Sequence, residues 1–283
     1  MPKVLHFVSG LPRAGSSLLC NLLAQHPDVH ATGTSGLHGI GYIARGYFET
    51  QEFRALPDPE AGSAMFYNVL RAGYSAAYDG LTDRPVVVDK GRSWIGHLDM
   101  LFRIFPDAKV LVPVRDIRGV LASMEAKFRA HPEVMLGMEK ANPANWTTPE
   151  KRATGWLQSP PVGIALERVH SAAQRFPRRL HFVHFEQLTA APAETMAAIW
   201  RYLGMDAPRH DFEQVIQYTA EHELGFPYGD HAVRRTVAPV APRWNEMLGR
   251  EFSSVIQNKF NWVTALQVHE LRSNQPERAR EAH

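Results

Sequence analysis

The chain is poor in the features that commit a sequence to several common classes. It has one cysteine, Cys20, in 283 residues, so no intramolecular disulfide framework can staple it. A formal net charge of +2 leaves no excess for a general nucleic-acid binder, in which a basic stripe is expected. No stretch of about 18 apolar residues is available to span a bilayer, and no basic-then-apolar leader precedes the first strand-like run, which reads as a soluble, cytoplasmic protein. No internal repeat is present. What remains is an apolar fraction of 45%, enough for a real core in one large α/β domain or two small ones.

The order of elements is that of a parallel sheet covered on both faces. Val4 to Ser9 reads as a strand and Ser16 to Gln25 as its helix, halted near His26-Pro27, with Cys20 as a small buried hydrophobe within it. Pro85 to Asp89, Lys109 to Val114 and His181 to His184 read as three further strands, and Ala193 to Leu203 as a late helix. Gly36 to Gly80 reads as helical, its many aromatic residues packed on the sheet and a few placed to line a pocket. Ala130 to Pro161, with Pro143, Pro149, Pro160 and Pro161, reads as an irregular insertion over that pocket.

Between the first strand and its helix lies Gly10-Leu11-Pro12-Arg13-Ala14-Gly15-Ser16-Ser17. The glycine spacing is that of a Walker A loop, G-x-x-x-x-G-K-[ST], whose backbone N–H groups cradle phosphates. Ser16 stands where the lysine would be, and the cation appears at Arg13 instead. The loop suits an anion but is poorly equipped for Mg²⁺-nucleotide chemistry, which argues against a metal-dependent kinase. The expected fold is therefore α/β, a three-layer α/β/α sandwich with a central parallel sheet of four or five strands, built like a P-loop nucleotide kinase. It is expected as a single domain over 1–271, followed by a polar, disordered tail over 272–283.

A second segment, Val110 to Met124, carries Arg115 at the end of a buried strand and Ser123 about two turns into the next helix, at ~3.6 residues per turn. Together the two segments resemble the 5′-phosphosulfate loop and the 3′-phosphate motif of sulfotransferases that use 3′-phosphoadenosine 5′-phosphosulfate (PAPS). The segment Phe185-Glu186-Gln187-Leu188 and the helix ending in Leu203-Gly204 are similar to that family too, with Glu186 expected to cap a helix or join an ion pair. The resemblance spans residues 4 to 204 and leans toward bacterial enzymes related to the tyrosylprotein type.

The resemblance implies metal-independent transfer of a sulfuryl group to an acceptor hydroxyl or amine, leaving 3′-phosphoadenosine 5′-phosphate (PAP). It gives the N–H groups of Ala14, Gly15, Ser16 and Ser17 to the 5′-phosphate, at the positive end of a helix. Arg13 contacts the phosphosulfate, Lys90 stabilises the sulfuryl group or bridging oxygen, and Arg115 with Ser123 holds the 3′-phosphate. The basic cluster Arg234 and Arg235 is placed to close over the nucleotide. The base is not in its family place: Arg92 stands at one family position and Thr34 at the other. His38 is the candidate, on the expectation of a pKa near neutrality, with Asp89, Glu49 and His97 as alternatives. A small molecule, sugar, lipid or peptide could be the acceptor. A nucleotide-binding protein without transferase activity is the remaining reading of the same fold.

Overall fold

The computed structural model describes residues 3–132, 146–219 and 232–266. Five strands form one parallel sheet: β1 (Val4–Val8), β2 (Val29–Ala31), β3 (Val86–Lys90), β4 (Val110–Val114) and β5 (Leu180–His184), in the order β2-β3-β1-β4-β5. The register sets Val8 beside Lys90 and Val114 beside His184. The residues of β3, β4 and β5 are buried throughout, as in a sheet covered on both sides. Period-two alternation sends Leu5, Phe7, Val110 and Val112 to one core and Val8, Val88, Leu111 and Val183 to the other. The three-layer expectation holds, with five strands.

The second core is closed by α1 (Ser16–Leu23) and by the late Pro192–Leu203 helix, which stops at Gly204 in the left-handed conformation. Cys20 is fully buried there. On the first face, α2 (Leu37–Ala44) and the four-residue α3 (Gln51–Arg54) lead into α4 (Pro59–Asp79). Asp58 caps α4 by accepting from the N–H groups of Glu60 and Ala61, Pro59 opens it, and Phe66, Leu70, Tyr74 and Tyr78 form its buried stripe. Next come α5 (Leu98–Ile104) and α6 (Ile117–Ala130), the latter capped by Asp116.

Two sequence expectations are corrected. The three-residue β2 was absent from the strands expected, and the stretch taken as irregular, Ala130 to Pro161, contains α7 (Pro149–Gln158). Thr148 caps α7 and Pro149 begins it, while Ala153 and Trp156 enter the core. Arg152 of α7 pairs with the fully buried Glu125 of α6 at 2.7 Å and donates a second bond to it at 2.8 Å. A buried pair satisfied this fully fixes α7 on α6 and would be costly to break from one side. The chain continues through α8 (Val162–Arg175), α9 (Phe185–Ala190), α10 (Pro192–Leu203), α11 (Trp244–Leu248) and α12 (Arg250–Thr264). The expected tail, 272–283, lies outside the described residues.

Candidate active site

β1 delivers the chain into the turn Gly10 to Gly15 at the carboxyl edge of the sheet, where the strand order reverses around it and open α/β sheets bind ligands. The two glycines are needed for different reasons. A Cβ on Gly10 would run into the carbonyl oxygen of Pro113 in β4. Gly15 has φ 81°, and a Cβ there would stand 2.6 Å from Cδ2 of Phe185. Between them Arg13 holds φ 57°, an uncommon conformation for a residue with a Cβ.

Arg13 is held in that pose from two directions. Its Nε donates to Oγ of Ser123 at 3.1 Å, and its carbonyl accepts from the Arg115 guanidinium at 3.0 Å. The loop and the Arg115/Ser123 motif, separate in sequence, are thus one hydrogen-bonded unit. Arg115 also stacks on Phe185, 4.3 Å from the ring centre. Burial brings its pKa down to about 10; Glu186 opposes that fall, and the like charges of Arg13 and Arg234 add to it. Glu186 Oε1 meanwhile accepts from the backbone N–H of Asp116, the residue that caps α6, at 3.1 Å. Guanidinium groups gathered against burial and mutual repulsion are what an anion site requires.

Lys90, the last residue of β3, is buried and donates from Nζ to Oγ of Ser17 at 3.3 Å, bridging the strand end to α1. Asp89 faces the other way: its carboxylate accepts from Oγ1 of Thr32 at 3.2 Å and Nε1 of Trp94 at 3.0 Å. Burial pushes the Asp89 carboxyl above its ordinary range. Thr32 also accepts from the Lys90 N–H at 2.8 Å, so β2, the strand missing from the sequence reading, fixes the strand end that presents Lys90.

These groups open into one cavity of about 1090 Å³. Arg13, Gly15, Ser16, Ser17, Lys90, Arg115 and Ser123 lie on its wall, as do Thr34, Gly36, His38 and Gly39. Ala14 is buried beneath the turn. Of the late basic pair, Arg234 is on the wall; Arg235 is exposed, off the wall, and held through its carbonyl, which accepts from the N–H of Val215 at 2.7 Å. Glu49 is exposed and also off the wall.

His38 departs from the neutral pKa expected of it. Burial first, then His97 and Arg168, lowers it to about 4. Its Nε2 lies 2.9 Å from Nδ1 of His97, which is also 3.1 Å from the carbonyl of Ser93. A carbonyl only accepts, so this pattern puts the hydrogen on His97 Nδ1 and leaves Nε2 of His38 accepting. Neutral His38 then carries its own hydrogen on Nδ1. Trp94, packed edge-on to His38 at 5.1 Å, completes the wall support and went unnoticed in the sequence because it follows the strand end by four residues with no motif around it.

The fold and turn define a P-loop-type α/β protein with a cavity lined by basic residues at the carboxyl edge of a parallel sheet. The chain belongs to the sulfotransferase family, whose sequence profile matches residues 6–209. It is 25% identical over 219 residues to the nodulation protein NoeE of Sinorhizobium fredii, covering 71% of this chain and 50% of that protein. The chain therefore spans about half the length of the curated relative it matches. Among solved structures, the sulfotransferase domain from the curacin biosynthetic pathway superposes with a TM-score of 0.52 at 16% identity, covering 92% of this chain and 98% of that one. The sulfotransferase domain of the Synechococcus PCC 7002 olefin synthase gives 0.50 at 19%, covering 92% and 95%. Both likenesses bear on the fold. Among the described residues no helix is long and apolar enough to cross a membrane.

Proposed function

We propose that this chain transfers a sulfuryl group from PAPS to an acceptor hydroxyl or amine. The observation that carries the reading is the convergence of Arg13, Lys90 and Arg115 on one end of a single cavity, around a turn that lacks the lysine of a nucleoside triphosphatase. Family membership supports the transferase class. The donor is what the resemblance of the two motifs to those of PAPS-dependent sulfotransferases implies.

In this reading the N–H groups of Ala14 to Ser17 and the hydroxyls of Ser16 and Ser17 hold the 5′-phosphate. Arg115 and Ser123, with Arg234 at the rim, hold the 3′-phosphate, a task suited to a planar guanidinium. Arg235, off the wall, is left without a part. During transfer the acceptor oxygen forms a bond to sulfur as the bond from sulfur to the bridging oxygen breaks, and that electron pair ends on the 5′-phosphate. Arg13 and Lys90 meet the charge there, preorganised by Ser123 and Ser17. Two fixed cations, Arg13 and Lys90, supply the electrostatic role that a metal plays in phosphoryl transfer, so the reading needs no metal.

The acceptor proton goes to His38. That requires both neutral rings to change tautomer by exchange with solvent: His38 gives up its Nδ1 hydrogen and gains one on Nε2, and His97 gives up its Nδ1 hydrogen and gains one on Nε2, so that His38 donates from Nε2 to His97 Nδ1 and its own Nδ1 is bare. An anionic donor in the cavity favours this by raising the His38 pKa back toward neutrality. The test is conversion of PAPS to PAP in the presence of EDTA with a mixed panel of phenols, sugars and alkyl alcohols, followed by chromatography. Acceptor-dependent PAP release that Lys90→Ala abolishes supports the assignment. Acceptor-independent binding without any release would reduce the protein to a nucleotide-binding module, and consumption of Mg²⁺-ATP instead would return it to the kinases.

A further inference from the structure

One polar residue of α1 lies beyond the phosphate turn and faces no ligand. Asn21 is fully buried, on a helix whose Leu19, Cys20, Leu22 and Leu23 belong to the second core. A primary amide in such surroundings is unfavourable unless its bonds are made. Here its Oδ1 accepts from the backbone N–H groups of Tyr218 and of Thr219, the latter at 3.0 Å. Its Nδ2 donates to Oγ1 of Thr219 at 3.0 Å and to the carbonyl of Ser17 at 2.8 Å. The Ser17 carbonyl is one turn back in the same helix and accepts the helical N–H as well. The other three bonds all reach residues 218 and 219, far along the chain.

Those residues are tied in turn to the late wall of the cavity. Gln217 donates from Nε2 to the carbonyl of Thr219 at 3.1 Å and accepts at Oε1 from the N–H of Val233, the neighbour of Arg234, at 3.2 Å. Val215 donates to the carbonyl of Arg235 at 2.7 Å, and Val237 to that of Phe212 at 2.8 Å. Residues 212–217 and 233–237 thus pair side by side in opposite directions. Arg234 lies on the cavity wall, near enough to Arg115 for their charges to repel, whereas Asn21 and Gln217 are off the wall. Phe212, Val215, Val233 and Val237 also pack on the second core. Apolar packing is non-directional, so it holds the two stretches down without fixing where along α1 they sit. Three bonds from a buried amide to residues 218 and 219 do fix it.

We propose that Asn21 is a positioning residue: by fixing residues 218 and 219 on α1 it sets, through Gln217 and Val233, the place of Arg234 at the 3′-phosphate. The inference rests on the PAPS reading and adds to it a residue that touches no ligand. It is tested by calorimetric titration of PAP and of adenosine 5′-monophosphate (AMP), which lacks the 3′-phosphate. The proteins are wild type, Asn21→Ala, Gln217→Ala and Arg234→Ala, with Asn21→Ala and Gln217→Ala each also combined with Arg234→Ala. PAP affinity is expected to fall at least about fivefold in Asn21→Ala and in Arg234→Ala, and by less in Gln217→Ala, with AMP affinity held within about twofold throughout. On the Arg234→Ala background neither further substitution should weaken PAP again, because both act through Arg234. Unchanged PAP affinity in Asn21→Ala, equal loss of AMP and PAP, or a loss that persists without Arg234 overturns the inference. If Asn21→Ala does not fold, exposed Gln217 decides. A PAP-selective loss in Gln217→Ala that vanishes without Arg234 then supports the inference, and any other result overturns it. Wild type that binds PAP no better than AMP overturns the donor reading beneath it.

Discussion

Gly15 and Gly39 face the same cavity and are glycine for opposite reasons. At Gly15 the backbone is left-handed and Phe185 fills the space a side chain would need; at Gly39 the backbone is ordinary helix and the space is empty. The difference extends to the two halves of the site. The donor half is over-determined: Gly10 against Pro113, Arg13 between Ser123 and Arg115, Lys90 tied to Ser17 and to Thr32. Around His38 and Gly39 the cavity is bounded by a short helix, α2, with open space at the Gly39 position. Rigid spacing suits a donor that is the same in every turnover, and open space leaves room for an acceptor to be chosen by what fits.

That contrast breaks most visibly at Lys90. Lys90→Ala should lower the transfer rate by about 10²–10³, the loss typical of one preorganised charge-stabilising donor, while PAP affinity changes far less. Single-turnover kinetics would check it, and an equal fall in PAP affinity would make Lys90 a binding group alone. Arg115→Ala should weaken PAP by about 1.5–3 kcal/mol, read by calorimetry, with acceptor preference unchanged. A shift in preference would mean that the halves are coupled.

Stability separates the two glycines directly. Gly15→Ala should destabilise by about 1–3 kcal/mol from overpacking alone, with the left-handed φ adding to it. Acid should cut across both halves. His6 and His181 are buried and held near about 4, below the ordinary value of 6.5, with burial the main cause in each. The unfolded chain takes up these protons first, so stability falls as pH drops from 6.5 toward 4, visible as a declining melting temperature. The smallest effect has the opposite sign: Gly39→Ala should stabilise by ~0.5–1 kcal/mol in denaturant titration. A loss there would mean that Gly39 has a packing role the open space does not suggest.

The donor half was legible in sequence because strand, turn and helix are continuous in the chain, and because Arg115 and Ser123 sit at a helical spacing that brings both to one end of β4. What was missed lies where local signals mislead. Pro149 read as a breaker but opens α7 after Thr148, a position at which proline loses nothing. β2 is three residues long, too short to show alternation, yet its end supplies Thr32 under Lys90. His38 was picked for a neutral pKa that depends on surroundings, and burial with His97 moves it to about 4. Gly39 carries no sequence signal, because its meaning is the absence of atoms around a Cβ it does not have.

The central claim is that the fixed half of the site is built for a sulfuryl donor and needs no metal. The most direct measurement is calorimetric titration of PAP and of ATP into the wild type, each with EDTA and with Mg²⁺. The account predicts micromolar PAP binding that is the same in both buffers and stronger than binding of ATP. Binding confined to Mg²⁺-ATP would contradict it.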